Sequence, residues 1–156
     1  MTGKYAQGTE VPIGRSRDEI ERTLERFGAT SQLWGRDDQV GRVTVAFKRE
    51  GRAYKFTVDS PRIEDFQRTP TGRDRAQSYA AQARDAEARR RFRSLANYLK
   101  AVLDAIDTGI IIAEEALLPY LLLPSGETVF QQSERQLQGG MNVDLARSLQ
   151  EGQQVR

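Results

Sequence analysis

Residues 42–59 read RVTVAFKREGRAYKFTVD, and this stretch decides the fold. Val43, Val45 and Phe47 alternate with Arg42, Thr44 and Lys48. After the polar turn Arg49-Glu50-Gly51-Arg52, Tyr54, Phe56 and Val58 alternate with Lys55 and Thr57. A period of two marks strands that bury one face and wet the other, and a short polar turn between two such strands makes an antiparallel hairpin. A preceding strand through residues 31–34, with 35–39 as its turn, completes a three-stranded meander. The polar phase of the hairpin presents Arg42, Thr44, Lys48, Arg52, Lys55 and Thr57. Basic sheet faces with a neighbouring aromatic serve single-strand binders for charge and stacking. Tyr54 falls in the apolar phase, where the core is its expected place, and Trp34 is left open.

Upstream, residues 1–14 are polar and Gly-containing and read as an extended arm. Ser16 followed by Glu19 has the spacing of a capping box, so a helix is expected from about residue 17 to 27. Ile20, Leu24 and Phe27 form its apolar stripe, and Gly28 suits the position just past its end. Lys4, Thr9, Arg15, Ser16 and Arg17 gather around this helix start, a place that favours phosphate. A capping box, however, would already use the amides an anion needs. Residues 5–12 also suit an edge strand, on this sheet or on another subunit's.

Downstream, Thr69-Pro70-Thr71-Gly72 is a breaker, and from Asp74 no Pro or Gly occurs until Gly109. A long helix is expected there. Its first half is rich in Ala and Arg: Arg84, Arg89, Arg90, Arg91 and Arg93 lie on it, with Arg73 and Arg75 just before or at its start. Its second half carries Phe92, Leu95, Leu99, Val102 and Ile106 at heptad-like spacing, and a kink between the halves is allowed for. A short apolar helix over 110–118 holds Glu114 and Glu115, and Pro119 ends it. Residues 121–123 and 128–130 suit a small hairpin around Pro124-Ser125-Gly126-Glu127. The fold class is therefore α+β: N-terminal helix, three-stranded antiparallel meander, long Arg-rich helix, short C-terminal helix and hairpin. The expected organisation is an arm over 1–14, one domain over 15–130, and a polar, partly disordered tail over 131–156 with a weak helix after Asn142.

Composition narrows the chemistry. The 156 residues include no Cys and no His, which removes thiol nucleophiles, imidazole metal sites and Ser-His-Asp triads. No phosphate-cradling Gly-rich loop or nucleophile elbow is present, so no catalytic residue, metal site or cofactor is assigned. The acids Asp104, Asp107, Glu114 and Glu115 read as solvated or capping groups rather than as a magnesium site. Net charge is +2, and of the 24 basic residues 20 are Arg, whose rigid fork pairs bidentately with phosphate. The charge is unevenly spread: residues 68–93 carry a net +5 and residues 94–156 a net −4. No apolar run is long enough for a membrane span and no secretory leader is evident, so a soluble cytoplasmic protein is expected.

Several motifs taken in order resemble a small protein family common in bacteriophages and prophages. They are Tyr5-Ala6, Gly8-Thr9 and Val11-Pro12; Arg15-Ser16-Arg17 with Glu19-Ile20-Glu21; Leu24 with Arg26-Phe27-Gly28-Ala29; Gly109-Ile110; and Leu123-Pro124, Gly126 and Thr128-Val129. Family members often carry Trp where this chain has Phe92, and the chain after Phe130 departs from the pattern. The resemblance implies an accessory protein working inside the bacterial host cell, near replication and recombination functions. It supplies no reaction and no catalytic residues.

The leading expectation is thus a non-enzymatic, nucleic-acid-associated phage accessory protein. Its binding residues are taken from Arg15, Arg17, Arg42, Lys48, Arg52, Lys55, Arg84, Arg89, Arg90, Arg91 and Arg93. The alternatives are a module that inhibits a host defence factor, and an oligomeric sponge for a small anionic nucleotide. A homo-oligomer is expected from the heptad seam and the arm, although a seam packed on its own sheet would have the same spacing.

Overall fold

In the computed structural model, which describes residues 13–37 and 39–138, the chain is an α+β fold built on the hairpin. Strands β1 (Ser31–Asp37), β2 (Arg42–Arg49) and β3 (Arg52–Asp59) form one antiparallel sheet in that order. Glu50 and Gly51 both take positive φ, 50° and 76°, the two-residue turn whose twist matches that of the strands. This turn sets the register: Arg49 faces Arg52, Val45 faces Phe56, and Trp34 of β1 faces Val45. β1 continues three residues beyond its expected end, through Gly35–Asp37, before the chain turns on the Asp37 carboxylate, which accepts the Gln39 and Val40 amides.

The inner face of the sheet carries Val43, Val45, Phe47, Tyr54 and Phe56, all buried. Two helices cover it, α1 (Gly14–Arg26) and α2 (Gln77–Asp107). Ile20, Leu24 and Phe27 of α1 meet Ala96, Leu99 and Leu103 of α2 in one cluster with the sheet and Leu117 of α3 (Ala113–Leu117). The heptad-like seam is therefore spent within the chain: Leu99 is fully buried, and Leu95, Val102 and Ile106 flank the same core. The two helices run in the same direction. Ile13, beside the start of α1, shares a cavity with Ala88 and Phe92, whereas Arg26 and Phe27 at its end lie with Leu103 and Asp107.

Both helices end on glycine as expected. Gly28 at φ 92° and Gly109 at φ 75° take the left-handed turn, and the Ala29 and Ile110 amides reach back to the Leu24 and Ala105 carbonyls. α2 is one uninterrupted helix of 31 residues, so the kink allowed for is not needed. It begins at Gln77 rather than Asp74 because Asp74 is held in a bridge to Arg68, and the Arg73 carbonyl accepts the Thr69 amide.

The capping box at Ser16 and Glu19 does not form. Helix α1 starts three residues earlier, at Gly14, the Ile13 carbonyl takes the Arg17 amide at 2.9 Å, and Ser16 lies inside the first turn. The reciprocal pair occurs instead at the other end of the chain. The Thr128 hydroxyl accepts the Gln131 amide at 3.2 Å, and the Gln131 side-chain oxygen accepts the Thr128 amide at 2.9 Å. These bonds start α4 (Val129–Gln138), which crosses the boundary expected at residue 130. Thr128 still bridges Leu122 in the expected small hairpin, but Val129 and Phe130 turn into the helix. The apolar segment after Gly109 is helical only over α3 and the 3₁₀ turn Leu118–Tyr120, which holds Pro119. The arm over 1–12 and the tail beyond 138 lie outside the described residues.

Substitution separates the two capping sites. Thr128→Ala is expected to cost about 1 kcal/mol of unfolding free energy, whereas Ser16→Ala should shift it by no more than about 0.5 kcal/mol in either direction. Urea denaturation followed by circular dichroism measures both, and equal losses would contradict the assigned helix starts.

Candidate nucleic-acid interface

Each expected cation can be placed by what its guanidinium or ammonium touches. On the sheet, the outer face displays Ser31, Leu33, Gly35, Thr44, Ala46, Lys48, Ala53, Lys55 and Thr57, with no aromatic ring among them. Trp34 lies on the inner face, under the Arg17 guanidinium at 4.9 Å and beside Phe92 at 6.5 Å. The aromatic neighbour that a stacking surface requires is therefore turned inward. Arg52 does not belong to the outer face: it has the phase of Tyr54 and Phe56 and pairs with Glu114 at 2.8 Å. The Glu114 carboxyl is held below its ordinary range, first by its own backbone amide and then by Arg52. Arg42 pairs with Asp59 at 3.2 Å, and the Lys55 ammonium donates to the Gly126 carbonyl at 2.9 Å. Lys48 alone of this set makes no such bond among the described residues.

The Arg-rich part of α2 divides in the same way. Arg84 is half-buried against Asp85 at 2.7 Å. Arg90 and Arg91 both grip Glu87, at 2.7 and 2.8 Å, and Arg91 also donates to the Asp59 carbonyl. Hydrogen bonds from Arg90 and then Arg91 bring the Glu87 carboxyl down to about 2, against an ordinary value of 4.5. Arg17 is committed to Glu21 at 2.9 Å. Of the expected residues on the two helices, Arg15, Arg89 and Arg93 are left exposed and without an ion pair among the described residues.

These three fall on one surface together with residues that local motif reading missed. At 3.6 residues per turn, Arg15, Arg22 and Arg26 share one side of α1, and Arg89, Arg93 and Lys100 share one side of α2. Lys100 joins the two rows. With Arg15, Asp18, Glu19, Arg22 and Arg26 it lines a groove of about 640 Å³ between the helices. Arg89 and Arg93 continue that side of α2 toward its start. All six cations are exposed, and none has a hydrogen bond or ion pair to another described residue. Asp18 and Glu19 are the acids within the groove, and Asp104 and Asp107 line a smaller depression at its far end. The signal for Arg22 and Arg26 was available in the sequence as an i, i+7, i+11 repeat of Arg on a predicted helix. Lys100 required knowing which side of α2 faces α1.

A second cavity of about 440 Å³ lies between the end of the sheet and the first half of α2. Its guanidiniums are all occupied: Arg84 on Asp85, Arg62 on the Val40 carbonyl, and Arg36 is likewise engaged. It is a poorer anion site than the groove. Among the described residues no three acidic, His or Cys side chains are grouped to hold a metal ion, and no helix is long and apolar enough to cross a membrane. No protein-family model, curated protein or solved structure matches this chain.

The Glu87 cluster makes a pH prediction. Its folded carboxyl titrates below the ordinary value, so its contribution is present in full above about pH 4.5 and is lost as pH falls toward 2. The stability advantage of the parent chain over Glu87→Gln should therefore shrink from pH 6 to pH 3 in parallel denaturation series. An advantage that stays constant over that range would show that the Arg90 and Arg91 contacts do not hold the carboxylate in solution.

Proposed function

We propose that the chain is a nucleic-acid-associated accessory protein that binds the phosphate backbone along the α1–α2 groove and performs no chemistry of its own. The observation that carries this reading is the set of six exposed cations on one face, unpaired among the described residues, where the other described helical cations are mostly tied to acids. Unpaired Arg and Lys displace the counterions of a polyphosphate without first breaking an internal ion pair, which is the main source of backbone affinity. From Arg89 to Lys100 the row spans about 16 Å of helix axis at 1.5 Å per residue. That length meets several phosphates of one strand. The lack of an aromatic on the outer sheet face favours backbone contact over base stacking, and so a sequence-tolerant mode. The resemblance to a phage family agrees with such a role inside an infected cell.

Fluorescence anisotropy with a labelled single strand and a duplex of equal length, at low and moderate salt, tests the reading. Binding should weaken steeply with salt. Arg22→Gln with Arg93→Gln should lower the slope of log affinity against log salt by about 1 per cation removed. Arg90→Gln with Arg91→Gln should leave that slope nearly unchanged, because both side chains are already spent on Glu87. No binding of either probe at low salt would refute the proposal.

A further inference from the structure

We propose that the cavity between the end of the sheet and the first half of α2 receives one unpaired nucleobase of a strand whose backbone lies in the α1–α2 groove. The inference rests on the groove reading and names single-stranded nucleic acid as the partner. The cavity adjoins the groove on both helices. Ile13 lines the cavity, and Arg15, two residues on, lines the groove. Asp85, Ala88 and Phe92 line the cavity, and Arg89 stands one turn from Asp85 on the same side of α2. Phosphates held by Arg15, Arg89 and Arg93 therefore place the attached base at the cavity mouth.

The lining suits a base better than a further phosphate. At about 440 Å³ the cavity has the size of a small-ligand pocket. Its walls are largely apolar: Phe92, Val43 and Pro61 are buried, and Ile63 and Ala88 are half-buried. One polar pair interrupts them. Arg84 directs both Nε and Nη2 at a single oxygen, Asp85 Oδ1, at 2.9 and 2.7 Å. Asp85 Oδ2 and Arg84 Nη1 make no bond to a described residue. The two side chains are only 24% and 28% exposed, so the pair has lost most of its water while keeping one acceptor and one donor unused. The Watson–Crick edge of every nucleobase sets an N–H donor beside an acceptor, and the ring faces are apolar. Such an edge complements Oδ2 and Nη1, and the ring faces complement Phe92, Ala88 and Val43. A duplex spends these edges on its own pairs, so only an unpaired strand can use the cavity. Because the donor–acceptor pattern is common to all the bases, the contact stays sequence-tolerant.

Fluorescence anisotropy with two strands of equal length, one bearing bases and one abasic, separates the cavity from the groove. The parent chain should bind the base-bearing strand roughly tenfold more tightly. That ratio should change little with salt, because the two strands carry the same phosphates and release the same counterions. Ala88→Leu, which fills the cavity without altering charge, should abolish the ratio and leave abasic binding and its salt slope intact. Asp85→Ala should lower the ratio while abasic binding holds or rises, since Arg84 is released. Abasic binding is also the folding control for both variants. Trp34 is the single tryptophan and stacks on Phe92 at 6.5 Å, so its emission should change with the base-bearing strand and not with the abasic one. Equal affinity for the two strands overturns the proposal and leaves the groove standing, whereas binding of neither strand removes the groove and the proposal with it. A ratio that survives both variants places the base elsewhere and also overturns it. A nucleoside monophosphate that shifts Trp34 emission while the two strands bind alike assigns the cavity to a free nucleotide, again against the proposal.

Discussion

The hairpin can be wet on only one side, and the arrangement of the other elements follows from that. Phe47 stacks on Tyr54 at 5.2 Å and on Phe56 at 6.1 Å, and Phe56 stacks on Tyr120 at 4.1 Å. Three strands are too few to hide such a face by curling upon themselves. A layer of helix is required, and α1 and α2 supply it in parallel, which needs the long return through the sheet and the 3₁₀ turn Ile63–Phe66 between them. Because both helices turn their apolar stripes to the sheet, the seam between them opens on the opposite side. The basic groove is thus a consequence of how the hairpin is covered.

Ion pairing then decides which cations matter. An Arg-rich segment looks uniform as a string of letters, yet Arg90 and Arg91 converge on one carboxylate while Arg89 and Arg93 point away from it. Exposed pairs of this kind add little stability. Their larger effect is on availability, because a guanidinium already bonded to Glu87 has to leave it before it can bind a phosphate. The surface that remains charged toward a partner is therefore smaller and better defined than composition suggests, and it lies off the centre of the Arg run.

The α+β class, the three strands, the buried seam and both glycine helix ends were legible because each rests on local periodicity or on a single backbone requirement. What was not legible depended on choices between equally local options. Ser16-x-x-Glu19 and Thr128-x-x-Gln131 have the same capping pattern. Only the second forms, since the first lies where the helix has already begun. Arg52 was assigned to the wet face by its polarity, whereas strand alternation alone places it with Tyr54 and Phe56, at the strand end where Glu114 can reach it. For the groove, the sequence held the stripe Arg15, Arg22 and Arg26. Pairing that stripe with Arg89, Arg93 and Lys100 required the relative direction of two helices separated by some fifty residues, from Arg26 to Gln77.

The groove and the open edge belong to the same geometry. β1 is the strand beside α1: its Gln32 bonds the Glu21 carbonyl, and its Trp34 lies under Arg17. The side of α1 that bears Arg17 and Glu21 looks along the sheet edge, and the side that bears Arg15, Arg22 and Arg26 looks toward α2 and solvent. One helix thus serves two surfaces with different chemistry. Its edge side is internally paired, Arg17 with Glu21 at 2.9 Å. Its groove side carries an excess of one sign, which disfavours self-association and favours a polyanion.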